Sequence, residues 1–340
     1  MKFQNCLIIG SYGASNIGDE AMLEVMLKEL SQKTVFVLSG NPEDTKKRHR
    51  IINVAPHFPF GIRSFFSFSW IKSFQFLKKA DLVLLGGGGL FTDDYTVRAV
   101  MLWAWHVLWC VIFRKKVVLF ANSVGPLKTS VGKTVARWAI GNCERIIVRD
   151  EISATFVRQL LPDRMVFVGA DLVFRTQNLV PLSGIRTQNQ DRKRVALNLR
   201  DWNMDFSVFS DFVDFCLSQG YEVVLVPTET ADEKLLRPLL RDGVMIVIPK
   251  DFGEMVQILS TCEKAVGMRL HFLIAAALAG CKIFGIAYSS KVRGVLESLD
   301  LPFVGTSNLV ETLQCNISTA REAKHLDVQR EKAQGMFEIL

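Results

Sequence analysis

Strand-length apolar runs alternate with helix-length periodic segments from one end of this chain to the other. Successive strands joined through helices run parallel, and a parallel sheet is covered by helices on both faces. The pattern therefore predicts βα units and open α/β sheets. Residues 6–10, 35–38, 51–54, 81–85, 117–121, 145–148 and 165–168 read as strands, with helices over 19–30, 97–113 and 131–142. Residues 176–194 break the rhythm with Gln, Asn, Pro, Ser, Gly and charges, and read as an interdomain segment. Strands then resume over 195–199, 222–226 and 244–248, with helices over 209–217 and 252–260 and two or three more near the end. The expected division of the 340 residues is 1–178, a linker over 179–194, and 195–340. Ligands of such sheets bind outside the carboxyl ends of the strands, so two facing sheets would leave a cleft between their loop edges.

Composition narrows the function. A net charge of +7 suits an anionic substrate or surface. The short basic runs at 46–50, 114–116 and 192–194 read as solvated loops. With no RNA-binding module, zinc spacing or long basic helix, neither nucleic acid nor a metal is expected. Seven scattered cysteines without a CxxC read as reduced, buried thiols of a cytosolic protein. The chain enters strand-like CLIIG almost at once, so no signal peptide is expected. Residues 99–113 form the longest apolar run, interrupted by His106 and too short for a membrane span. Residues 56–79 carry seven Phe, one Trp and four Lys or Arg. That mixture suits peripheral contact with a membrane or a phospholipid-linked substrate, and equally a lid helix packed on the sheet.

The chemistry concentrates at strand ends. Residues 267–294 read as strand, polar turn, buried helix, strand and polar turn, and the two turns hold Arg269, His271, Lys291 and Arg293. Four cationic groups beside a helix N-terminus make an anion site, whereas a lone Arg or His would only brace the helix. Arg200, at the end of another strand, adds to that site, and Thr228 or Glu229 is placed to touch a sugar. In the first half, the loop holding Asn16, Asp19 and Glu20 follows the first strand. It matches neither a phosphate-binding P-loop nor the dinucleotide fingerprint, which argues against an oxidoreductase. Asp19 reads either as a carboxylate that orients or deprotonates a sugar hydroxyl or as a helix cap. The four glycines at 86–89, Gly88 and Gly89 among them, point to close approach of a ligand or of the facing domain. Asp93 or Asp94 is expected to cap the next helix, and residues 122–126 to form a site wall. Arg149 reads either as a group reaching across the cleft toward His271 and Lys291 or as a surface partner of Asp150 or Glu151.

Taken together, YGASNIGDEAML, LLGGGGLFTDD, SVGP, VRDEIS, GAD, LNLR, VPTETADE, GMRLHFLIAAALAG and AYSSKVRG, in this order, resemble the polysaccharide pyruvyl transferase family. The resemblance implies a GT-B-like fold, two Rossmann-like domains whose parallel sheets face each other across a cleft. It also implies transfer of the enolpyruvyl group of phosphoenolpyruvate onto two hydroxyls of one sugar in an envelope or extracellular polysaccharide precursor. Phosphoenolpyruvate is then a donor substrate, and no cofactor is implied. Under that resemblance His271, Asp19 and Arg149 are the catalytic set, with Arg149, His271 and Lys291 on the donor and Asp19 on the acceptor side. Lys291, Arg269, Arg293, Arg200, Asn16, Gly88 and Gly89 are the expected substrate-binding residues. The chain departs from the family where many relatives have Tyr-Asp-Pro-Lys and it has Tyr288-Ser-Ser-Lys291. The expected setting is cytoplasmic, at the inner face of the membrane where the acceptor is lipid-linked. The rival readings are a GT-B glycosyltransferase with a nucleotide-sugar donor and a non-catalytic binder of phosphorylated glycolipid.

Overall fold

The computed structural model describes residues 3–14, 16–61, 64, 66, 68–94, 96–178, 193–202, 205–306 and 317–340. The chain divides into two compact units, residues 1–172 with 330–340, and residues 173–329.

Unit 1 begins with β1 (Asn5–Ile9), α1 (Ile17–Glu29), β2 (Thr34–Ser39), α2 (Pro42–His49), β3 (Val54–Pro56) and α3 (Ile71–Lys79). It continues with β4 (Leu82–Gly86), α4 (Val97–Ile112), β5 (Lys116–Asn122), α5 (Ser130–Gly141), β6 (Arg145–Val148), α6 (Glu151–Leu160) and β7 (Phe167–Val168). The strand order is β3-β2-β1-β4-β5-β6-β7 and every pairing is parallel. The order reverses between β1 and β4, so the helices that follow these two strands cover opposite faces of the sheet. The periodicity reading misses α2, whose basic run read as a loop, and α6, and it starts β3 at residue 51 rather than Val54.

Alternation along the strands sorts the unit 1 core. Leu7, Ile9, Val83 and Leu85 face one way, into a cluster with Phe76, Leu77, Val100, Val107, Ala139 and Val157 of the following helices. Near its centre His57 and His106 meet edge to face at 5.0 Å. His106 is fully buried. Its Nδ1 lies 2.8 Å from the Leu102 carbonyl, and its Nε2 is buried with no hydrogen-bond partner. Protonation would put a charge there, so burial lowers the imidazole to about 4 against a weaker pull from Leu102. Burial and the neighbouring His106 lower His57 to about 3. In the unfolded chain both rings return to about 6.5 and bind protons below it. Stability is therefore complete above about pH 6.5 and falls as the pH drops toward 4. His106 alone is expected to remove about 2 kcal/mol between pH 7 and pH 5, read as a fall in the urea midpoint. His106→Leu should flatten that pH dependence, and an unchanged slope would refute the assignment.

Unit 2 holds β8 (Arg194–Asn198), α7 (Ser207–Ser218), β9 (Glu222–Leu225), α8 (Thr230–Leu236), β10 (Val244–Ile246) and α9 (Phe252–Ser260). It closes with β11 (Lys264–Gly267), α10 (Leu270–Leu278), β12 (Lys282–Ala287), α11 (Ser290–Ser298) and β13 (Phe303–Gly305). Its order, β10-β9-β8-β11-β12-β13, is again parallel throughout and reverses between β8 and β11. Every residue of α10 except His271 is buried, as the apolar sequence predicts.

The expected division needs a correction at its end. The final helix α12 (Leu326–Glu338) starts in unit 2, but residues 330–340 belong to unit 1. There Phe337 meets Phe120 of β5 edge to face at 5.1 Å, and Met336 fills the space beside Gly169 where a Cβ would lie 2.2 Å from its sulfur. The helix supplies an apolar lid that the sheet's second face requires. Of the expected linker, residues 179–192 lie outside the described residues.

Candidate functional site

Of the expected site residues, Asn16, Asp19, Gly88, Gly89 and Arg149 belong to unit 1, and Arg200, Arg269, His271, Lys291 and Arg293 to unit 2. Each set gathers at the carboxyl ends of its own strands.

In unit 1 the loops after β1 and β4 meet at the reversal point. The Tyr12 hydroxyl donates to the Gly86 carbonyl at 2.6 Å. Burial, then the charges of Asp19 and Glu20, hold its phenol well above the ordinary value, so it remains a donor. Asn16, not Asp19, caps α1, its side chain accepting from the Gly18 and Asp19 amides at 3.0 and 3.2 Å. Glu20 is a brace, taking the Gly13 amide and facing His49 Nε2, each at 2.7 Å. That leaves Asp19, buried in the first turn of α1, as the carboxylate packed on the glycine loop. Gly88 has φ +76, and a Cβ there would lie 2.7 Å from Asp19 Oδ1. The glycines thus admit the neighbouring loop of the same unit, where the sequence suggested a ligand or the facing domain. Gly89 is exposed. Gly88→Ala is expected to cost about 1–3 kcal/mol in urea unfolding and to displace Asp19. A wild-type midpoint would mean that the loop relaxes freely.

The two acidic residues after this loop do not cap α4; Thr96 does. Asp93 accepts from the Lys128 and Thr129 amides and the Thr129 hydroxyl, at 2.6, 2.8 and 2.6 Å. Burial opposes its charge, but these bonds outweigh it and keep the carboxyl below its usual range. Asp94 pairs with Lys128 Nζ at 3.0 Å.

Arg149 is not on the surface. Its side chain is almost fully buried, with Nε donating to Ser123 Oγ at 2.6 Å and Nη1 to Asp171 Oδ2 at 2.8 Å. Asp150 caps α6 through the Ser153 amide and also accepts from Ser123. Ser123, from the expected site wall, and Asp171 therefore fix the guanidinium.

In unit 2 the reversal point joins β8 to β11. Asn198 spans it, its Nδ2 donating to the Val226 carbonyl at 2.8 Å and its Oδ1 accepting the Arg269 amide at 3.0 Å. Arg269 was expected to bind substrate, but its guanidinium is committed to two carboxylates. Nε and Nη2 reach Asp232 at 3.1 and 2.6 Å, and Nη1 and Nη2 reach Glu229 at 3.1 and 2.7 Å. Burial disfavours this charge, yet hydrogen bonds and attraction from Asp232, then Glu229, raise the guanidinium above its usual value. Arg293 is likewise corrected: it is exposed, pairs with Glu297 at 3.3 Å and covers the Phe303 ring. Arg200 donates to the Tyr288 hydroxyl at 2.7 Å, and its guanidinium lies 4.7 Å from the Tyr288 ring and 5.7 Å from the Trp202 ring.

His271 and Lys291 each hold the second position of a helix, α10 and α11. The two helices leave β11 and β12, which are hydrogen-bonded parallel neighbours. Their N-termini therefore lie at one sheet edge, on strands about 5 Å apart. Neither cap residue, Arg269 or Ser289, makes a side-chain cap bond. The Ser289 hydroxyl is buried with no hydrogen-bond partner. The sequence flagged this position only as a departure from the family pattern. Asp232 carried a missed signal, since Glu229 and Asp232 lie three apart at a helix start and face one side. Among the described residues no group of three or more His, Cys, Asp or Glu is arranged to hold a metal.

Two parallel α/β units with these topologies define a GT-B-like protein. The structure is similar to Anabaena HepE in complex with UDP-glucose (TM-score 0.60, 13% identity, all of both chains). It is also similar to Methanocaldococcus jannaschii UDP-GlcNAc 2-epimerase in complex with UDP-GlcNAc and UDP (TM-score 0.63, 12% identity, 99% of both chains). At such identities the likeness concerns the fold. The polysaccharide pyruvyl transferase profile matches residues 16–290, and the chain belongs to that family. It is 25% identical over 257 residues to the amylovoran biosynthesis protein AmsJ of Erwinia amylovora, spanning 66% of this chain and 61% of that protein.

Proposed function

We propose that the chain transfers the enolpyruvyl group of phosphoenolpyruvate to two hydroxyls of one sugar in a polysaccharide precursor. C3 of the donor takes a proton, one sugar hydroxyl adds to C2 and loses its own proton, and the second hydroxyl displaces phosphate. The products are a cyclic pyruvate ketal and inorganic phosphate. The observation that carries the reading is the pair of uncapped helix N-termini at the β11–β12 edge, with His271 and Lys291 in their first turns. First-turn amide N–H groups and the helix dipoles favour an anion at a helix start, and phosphoenolpyruvate offers a phosphate and a carboxylate. The Ser289 hydroxyl adds a donor at the same helix start.

In this reading Lys291 and the α10 and α11 amides hold the phosphate, and His271 is the proton donor to C3 or a phosphate ligand. Arg200 supports the donor side, with Tyr288 and Trp202 setting its direction. Arg149 contributes Nη2 to substrate, its Nε and Nη1 being held by Ser123 and Asp171. Asp19, with Asn16, Gly88 and Gly89 around it, faces the acceptor and receives a sugar hydroxyl proton. Arg269 holds the turn in shape. Family membership and the name of AmsJ support a polysaccharide precursor as acceptor. The donor is a cytosolic metabolite, which puts the reaction in the cytosol.

The test is thermal unfolding with phosphoenolpyruvate, followed by phosphate release in the presence of lipid-linked and soluble glycan acceptors. A ligand at a hundred times its Kd should stabilise the protein by about 2.7 kcal/mol. Stabilisation by UDP-glucose and none by phosphoenolpyruvate would turn the reading to a nucleotide-sugar donor.

A further inference from the structure

The basic charge of this chain is confined. Residues 45–80 hold eight Lys or Arg and residues 95–143 hold seven, with no Asp or Glu in either stretch. These 85 residues carry +15, and the other 255 carry −8. The first stretch contains α3 and the second α4, and the two pack together through Phe74 against Trp109 and Phe113, at 4.7 and 5.7 Å. From there a chain of rings reaches outward, Phe74 to Trp70 at 5.5 Å and Trp70 to Phe68 at 6.5 Å.

The outer end of this chain is in solvent. Phe66 is 73% exposed, Phe68 64% and Ile71 47%, and at the end of α4 Ile112 is 56% exposed. Side chains of this size are normally covered, and several together mark a contact surface. Exposed cations share these helices: Lys72, Lys78 and Lys79 on α3, Arg98 on α4 and Arg114 just after it. None of the five forms an ion pair among the described residues. A protein partner is normally met by mixed charge. Here aromatic and aliphatic tips lie on and beside two helices whose charged residues are all Lys or Arg, which matches the acyl–headgroup boundary of an anionic bilayer. No helix among the described residues is long and apolar enough to cross a membrane, so the contact is peripheral.

We propose that the α3–α4 face of unit 1 docks on an anionic lipid surface, with Phe66, Phe68 and Ile71 entering the interface and Lys72, Lys78 and Lys79 meeting the headgroups. The purpose, bringing unit 1 to a lipid-linked glycan, rests on the pyruvyl-transfer reading; the surface itself does not.

The experiment is flotation of the full chain with phosphatidylcholine vesicles, with and without phosphatidylglycerol. The protein should float with anionic vesicles only, and salt should weaken the association. The exposed-site variants Phe66→Ser/Phe68→Ser/Ile71→Ser and Lys72→Glu/Lys78→Glu/Lys79→Glu should each lower partitioning at least about tenfold, with unchanged melting temperature. Phosphate release on a soluble acceptor should be unchanged in both. No flotation, equal flotation of wild type and variants, or release from vesicles by a single-stranded oligonucleotide would overturn the proposal. Flotation of a chain that releases no phosphate from phosphoenolpyruvate would uphold the surface and remove only the catalytic reading.

Discussion

Asp232→Ala is expected to destabilise unit 2 by about 3–5 kcal/mol, the cost of removing one partner of a buried ion pair. Asp232 is fully buried and accepts four bonds, two from Arg269 and two from the Thr228 amide and hydroxyl. Without it the mostly buried Arg269 guanidinium keeps only Glu229, whose side chain is one third exposed and therefore screened. The damage should spread, because Arg269 starts α10 and its amide is tied to Asn198 at the reversal point of the sheet. Urea unfolding followed by circular dichroism reads the loss. The double variant Asp232→Ala/Arg269→Met should recover most of it, since no unpaired charge is then left inside. A loss below about 1 kcal/mol in the single variant would mean that water reaches the pair.

The second large effect is catalytic. Lys291→Ala is expected to lower phosphate release from phosphoenolpyruvate by about 10²–10³-fold, the scale for removing a positioned electrostatic donor. Stabilisation by phosphoenolpyruvate should vanish in the same variant. Lys291 lies one position inside α11, so an alanine there leaves the helix intact. His271→Gln separates two roles. A proton donor to C3 is lost and the rate falls about 10²–10⁴-fold, with donor binding kept. A phosphate ligand is partly replaced by the amide, and affinity falls more than turnover. Full turnover with unchanged affinity would remove His271 from the site.

The placement of the candidate site residues differs in how visible it was. GMRLH and the later Lys were legible because a strand, a cationic turn and an apolar helix follow one another locally, and helix position two is a matter of counting. The role of Arg269 was not legible, since its partners lie 40 and 37 residues earlier in the chain and are brought close by the pairing of β8 with β9 and β11. The burial of Arg149 was not legible for the same reason: Asp150 beside it was visible, but Asp171 becomes its partner only once β6 and β7 are side by side. The glycines at 86–89 announced close approach, and the groups that approach them are Tyr12 of the loop after β1 and Asp19 in the first turn of α1.

The sequence by itself determined that there are two parallel α/β units, where their strands end, and which polar residues stand at those ends. These follow from local periodicity and from the rule that strands joined through helices run parallel. Tertiary structure alone decided which cations are neutralised inside the protein and which helix starts stay uncapped. It also decided that the last helix returns to unit 1. Each of these depends on pairing between residues far apart in the chain, and a side chain's charge becomes structural or available only when its neighbours in space are fixed.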